Sequence, residues 1–138
     1  MKKILLFSAA LLFAAPLLAQ ENTEAEPVDG PQITFAESSH DFGDIYQGDK
    51  VNYVFEFDNT GTEPLILANV LTTCGCTATS WPRDPIVPGE GGKIAVSFNS
   101  AGKMGKQNKV VTIVSNAVNA QERVKIITNV LPPKDTSQ

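Results

Sequence analysis

From residue 51 onward, Val51, Tyr53, Phe55 and Phe57 alternate with Asn52, Val54, Glu56 and Asp58. Successive side chains on a strand point to opposite faces, so a period of two gathers four large apolar groups on one side. A helix would scatter the same residues around its axis. The pattern recurs at Ile33 and Phe35, at Ile94, Val96 and Phe98, and at Val124, Ile126, Thr128 and Val130. Leu65-Ile66-Leu67, Val70-Leu71 and Val110 to Val114 are further short apolar runs. Between them lie Asn59-Thr60-Gly61, Val87-Pro88-Gly89-Glu90-Gly91-Gly92 and Ala101-Gly102-Lys103-Met104-Gly105-Lys106, which have turn and loop chemistry. Short alternating runs with such punctuation predict an all-β, immunoglobulin-like antiparallel β-sandwich of about seven strands. No internal repeat is visible, so the runs make a single module.

The ends set a compartment. Met1-Lys2-Lys3, an apolar run from Ile4 to Phe13 and the small residue Ala19 before Gln20 read as a secretory signal peptide over residues 1–19. Its apolar core is short for a membrane span. No cysteine follows that run, so a lipid anchor on a mature N-terminal cysteine is not expected. Residues 20–31, with Glu21, Glu24, Glu26 and Asp29 but little to bury, read as a disordered acidic linker. The ordered domain is expected over residues 32–131, with a short disordered tail over 132–138 opened by Pro132-Pro133. Eleven Lys and Arg, less Lys2 and Lys3, leave nine against fifteen Asp and Glu, a net charge of −6 on the mature chain. An acidic chain without a basic cluster disfavours nucleic acid and anionic membrane surfaces as partners. A periplasmic or extracellular location follows, with no membrane span after cleavage. A protein partner held through strand edges or end loops is the partner class left to expect.

The only two cysteines stand at Cys74-Gly75-Cys76. Both fall in one tripeptide, so they cannot make the inter-sheet disulfide of antibody domains. An exported thiol pair is able to form a local disulfide, capture a soft metal such as Cu(I) or Zn(II), or exchange with another thiol. On an extended strand, residues two apart are separated by about 6.6 Å, near the upper limit for a disulfide, so a bridge needs Gly75 to tighten the backbone. Loop entropy gives such a small ring about 1.6 kcal/mol before strain, against ~3 kcal/mol for fifteen residues. A bridge here would therefore stabilise little and reduce easily. No Lys, Arg or His precedes Cys74 closely or follows Cys76 directly; Arg83 is the nearest cation in the sequence. The helix-opening C-x-x-C of redox folds is missing as well.

Four ordered segments resemble one family. His40-Asp41-Phe42-Gly43-Asp44-Ile45 with Gly48 resembles the opening of the domain of unknown function 1573. Phe55-Glu56-Phe57-Asp58-Asn59-Thr60-Gly61 with Pro64-Leu65 resembles its turn, and Thr73-Cys74-Gly75-Cys76-Thr77 its central element. Ile86-Val87-Pro88-Gly89 with Ile94-Ala95-Val96-Ser97-Phe98 resembles its later strand. Thr73 stands where serine is frequent in the family. The resemblance implies an exported bacterial domain, common in Bacteroidetes and related to PapD-like and major-sperm-protein-like sandwiches. It implies no activity.

The remaining candidates point away from an enzyme. His40 is the only histidine, and beside a turn a lone histidine is more often structural than half of a dyad with Ser38 or Ser39. Asp41 and Asp44 suit turn and strand-end hydrogen bonding better than acid–base pairing. Trp81 suits core packing. The glycines at Gly89, Gly91 and Gly92 lack the lysine and following helix of a phosphate loop. Lys103, Lys106 and Lys109 read as a solvated basic loop, or as a docking patch for an acidic partner. The sequence therefore predicts a non-catalytic binding or structural module without a cofactor. A thiol-redox or soft-metal role for Cys74 and Cys76 is the alternative.

Overall fold

In the computed structural model, residue 26 and residues 28–135 are described. The signal peptide expected over residues 1–19 lies outside them, as do residues 20–25, 27 and 136–138. Eight strands make up the described residues: β1 (Ile33–Phe35), β2 (Ser39–Tyr46), β3 (Lys50–Asn59), β4 (Leu67–Thr72), β5 (Cys76–Ser80), β6 (Gly91–Asn99), β7 (Gly105–Ser115) and β8 (Gln121–Leu131). They form two four-stranded sheets, ordered β1-β3-β6-β5 and β2-β8-β7-β4. The sandwich and its all-β character are as the alternation requires. Two details differ from the expectation of about seven antiparallel strands. There are eight, and β2 runs parallel to β8, pairing His40 with Ile126 and Ile45 with Val130.

Alternation decides which residues meet between the sheets. Phe55 and Phe57 of β3 and Ile94, Val96 and Phe98 of β6 are buried on the inner face of the first sheet. Val111 and Ile113 of β7 and Val124, Ile126 and Val130 of β8 are buried on the facing sheet. Val54, between Tyr53 and Phe55, points outward and is 44% exposed. Burying each such large side chain is worth about 1.5–3 kcal/mol, so this layer is the main apolar contribution to stability.

The Asn59-Thr60-Gly61 turn holds one end of the sandwich. Asn59 is buried, and its Nδ2 donates to the carbonyls of Glu63 at 2.7 Å and Ile86 at 2.8 Å. Its Oδ1 accepts from the Gly61 amide at 3.0 Å. Its backbone is tied to Glu90 and Gly89, so one residue links three chain segments. A Cβ on Gly61 would run into the backbone of Gly30, Pro31 and Gln32, which explains the glycine. Gly30 and Pro31 are buried here, and their carbonyls accept from Thr62 and Val118. The packed body thus begins two residues before the boundary expected at residue 32. Pro132 to Asp135 follow β8 without regular structure, with the Lys134 ammonium over the Tyr46 ring at 4.5 Å.

Removing the Asn59 side-chain amide takes a partner from the Glu63 carbonyl and from the Gly61 and Gln32 amides, while the Ile86 carbonyl keeps its bond from the Leu65 amide, at about 1–3 kcal/mol for each buried orphan. Asn59→Ala is expected to lower unfolding stability by about 2–4 kcal/mol in urea, whereas the exposed Thr60→Ser changes it by less than ~0.5 kcal/mol. Equal effects would show that Asn59 is not the tie described.

Candidate functional site at the Cys74-Gly75-Cys76 turn

Strand β4 lies at the edge of one sheet and β5 at the edge of the other, so the chain changes sheets through residues 73–75. The Cys76 amide donates to the Thr73 carbonyl at 3.0 Å, closing a four-residue turn with Gly75 in its third position. Gly75 has φ +92°, the left-handed value that a type II turn needs there and that other residues avoid. The turn is tied down on both sides. The Asn99 amide at the end of β6 donates to the Gly75 carbonyl at 3.0 Å. The Thr73 amide donates to the Val110 carbonyl of β7 at 3.2 Å, and the Val110 amide donates to Thr73 Oγ1 at 3.2 Å. Thr72 Oγ1 donates to the Cys76 carbonyl at 2.9 Å.

This geometry makes the two sulfurs unequal. Cys74 lies in the turn and is exposed, while Cys76 opens β5, pairs in register with Phe98 and is buried among the core side chains. Both are free thiols, so the structure does not show the local disulfide considered from the sequence. The fold also brings up cations that are remote in the chain. Lys103 Nζ lies 3.8 Å from Cys74 Sγ. Its loop is fixed by Ser100, buried, whose amide and hydroxyl bond to Asp49 and Tyr46 carbonyls, and by Gln47 Nε2 donating to the Lys103 carbonyl at 2.9 Å. Burial pushes the Cys76 thiol above the ordinary range; Lys109 and Lys103 oppose that shift, and Cys74 adds to it. Among the described residues no group of three or more His, Cys, Asp or Glu gathers as a metal site. The Lys103 charge repels a metal cation at Cys74 and attracts a negatively charged sulfur.

The other sequence candidates do not join this site. Thr77 is exposed on β5, opposite Ser97. His40 sits on β2, at the far edge of its sheet from β4, and stacks on Tyr53 with ring centroids 3.7 Å apart. Phe42 packs edge-on against His40, and the Tyr53 hydroxyl donates to Glu37 at 2.6 Å, which pushes the phenol pKa up. Among the described residues the His40 ring makes no hydrogen bond with Ser38 or Ser39. Asp41 accepts from the Gly43 amide at 2.7 Å, and Asp44 accepts from Asn129 at 2.9 Å. Pro88 and Gly89 form a turn that the Glu90 amide closes on the Val87 carbonyl. A Cβ on Gly92 would strike the Phe57 ring and Pro82, so this glycine serves packing. Trp81 packs partly buried against the core, with the Arg83 guanidinium 3.9 Å from its ring centroid. Met104 follows Lys103 and is exposed. Sequence alone does not show that Lys103 lies against Cys74 or that the Lys109 charge acts on Cys76. The basic residues Lys103, Lys106 and Lys109 are the trace it offers, and only tertiary folding relates Lys103 to Cys74.

A family model covers residues 33–130, the span that holds both sheets, the Asn59 turn and the cysteine turn. The chain belongs to the family described as Protein of unknown function (DUF1573). No curated protein matches it. Among solved structures it is similar to a protein of unknown function from Porphyromonas gingivalis W83, with 21% identity, TM-score 0.62, and coverage of 72% of this chain and 46% of that one. It is also similar to the ASH / PapD-like domain of human CEP192, with 10% identity, TM-score 0.61, and coverage of 93% and 99%. The secreted serine protease VesC from Vibrio cholerae shares 13% identity and TM-score 0.59 over 72% of this chain, which spans 23% of that protein. At these identities the likeness is one of fold. A DUF1573 domain with a PapD-like sandwich matches the resemblance drawn from the motifs.

Gly75 and Gly89 give a matched comparison, since both have positive φ. A Cβ on Gly75 would sit 3.2 Å from both Phe98 Cε2 and Lys103 Cε, whereas one on Gly89 would meet nothing within 4 Å. Gly89→Ala is expected to cost about 1–2 kcal/mol for the left-handed backbone. Gly75→Ala should cost more in the same urea titration, because Phe98 or Lys103 must also shift. Equal losses would mean that the turn is not held against β6 as described.

Proposed function

We propose that this DUF1573 domain is an exported, non-catalytic binding module that takes an extended segment of a protein partner against the flank formed by β4, the cysteine turn and β5. One observation carries this reading. From Pro64 to Pro82 the chain holds no charged residue, and this stretch supplies both edge strands of that flank. Edge strands are ordinarily guarded by charge, proline or bulges, because their unpaired backbone groups invite another strand. The opposite flank is guarded in that way. β1 has three residues and is followed by Glu37, and β2 carries Asp41 and Asp44; irregularities of pairing occur on both flanks, so charge is what separates them. On the neutral flank Leu71 is 51% exposed and Thr77 is exposed, leaving apolar and hydroxyl surface beside an open edge. Strand addition to such an edge derives affinity from main-chain hydrogen bonds and specificity from alternate side chains.

No helix among the described residues is long and apolar enough to cross a membrane. Export rests on the reading of residues 1–19, and the partner is accordingly a periplasmic or extracellular protein.

The test compares tagged mature chain with a Leu71→Lys/Thr77→Lys variant in pull-downs from periplasmic extract, with crosslinked peptides mapped by mass spectrometry. A partner whose crosslinks fall on residues 67–80 of the native chain and is lost from the variant, at an unchanged urea midpoint, is the expected result. Equal capture by both proteins, or no specific capture by the native chain, would overturn the proposal.

A further inference from the structure

The unequal sulfurs support a chemical role that the docking surface does not require. We infer that Cys74 and Cys76 form a stoichiometric thiol–disulfide exchange site, in which exposed Cys74 takes up a sulfur from a protein or peptide disulfide and Cys76 resolves the adduct. Three features of the geometry support the assignment. Cys74 is exposed in a turn, where an incoming sulfur has access. Lys103 Nζ, 3.8 Å away, places positive charge where the attacking sulfur is negative. Cys76 is only 9% exposed, so it is shielded from outside disulfides yet lies one glycine away from Cys74.

The chemistry balances with the partner disulfide as the oxidant. The Cys74 thiolate attacks one sulfur of R–S–S–R′, forming a Cys74–S–S–R bond and releasing R′–S⁻, which takes up a proton. The Cys76 sulfur, after losing its proton, attacks Cys74 Sγ, forming Cys74–S–S–Cys76 and releasing R–S⁻, which is protonated in turn. Two thiols of this chain are oxidised and one external disulfide is reduced to two thiols. The reverse sequence passes the disulfide to a partner dithiol. The second step requires the Cys76 sulfur to turn out of the core toward Cys74, and the turn at Gly75, in place of an extended strand, is the hinge about which it does so. The small ring has little loop entropy to hold it closed, so the oxidised form favours handing its bridge on.

Oxidised glutathione serves as the probe, with intact-mass and peptide analysis of the reduced mature chain. Native protein should end as the internal disulfide, two hydrogens lighter, with little stable glutathione adduct. Cys76→Ser and Cys76→Ala should both accumulate one glutathione on Cys74, whereas Cys74→Ser should stay unmodified while folded. Lys103→Gln should slow adduct formation about fivefold, and Lys103→Arg should restore it. Circular dichroism and the urea midpoint check that each variant is folded. A native chain that ends with glutathione on both sulfurs, Cys76 reacting as fast as Cys74, or a Lys103→Gln rate equal to native would each overturn the assignment.

Discussion

The passage of the chain from one sheet to the other within residues 73–75 is the constraint on which the site depends. Packed sheets lie about 10 Å apart, so a link this short leaves little freedom in how it turns. Gly75 supplies the left-handed backbone, and hydrogen bonds to β6 and β7 fix the turn between both sheets. The residue before the glycine is thereby turned outward, and the residue after it begins a strand whose first side chain enters the core. The difference between Cys74 and Cys76 is thus a property of the crossover, not of the thiols.

The same crossover explains the asymmetry of the two flanks. It joins the two edge strands that carry no charge, while acidic residues mark the other side at β2. Residues far away in the chain converge on the turn. Ser100 fixes the loop that holds Lys103, and β7 presents Lys109, so a neutral segment is bordered by two cations. Mostly neutral edges with positive charge beside an exposed sulfur suit recognition and sulfur chemistry at one place.

Much of the sandwich was legible in the sequence wherever alternation was strong. Phe55, Phe57, Ile94, Val96 and Phe98 declare their inner face, and the turn residues at Asn59 and Gly61 declare the break after β3. Two strands were hidden for physical reasons. Gly43 interrupts the pattern of β2, and β5 consists of Cys76 followed by small residues whose strand character comes from pairing with β6. The parallel pairing of β2 with β8 is a property of topology, which local periodicity does not encode. At the site, the glycine and both cysteines stood out at once, but the difference between the sulfurs and the Lys103 contact did not. Burial and cross-chain charge arise only when residues 74, 76 and 103 are brought together.

The most direct test is competitive alkylation of the reduced, folded chain with substoichiometric iodoacetamide, followed by peptide mapping before and after urea. The expected result is label almost wholly on Cys74 in the folded protein and equal label on Cys74 and Cys76 once it is unfolded. Equal labelling of the two cysteines in the folded state would contradict the claim that the crossover turn exposes one sulfur and buries the other.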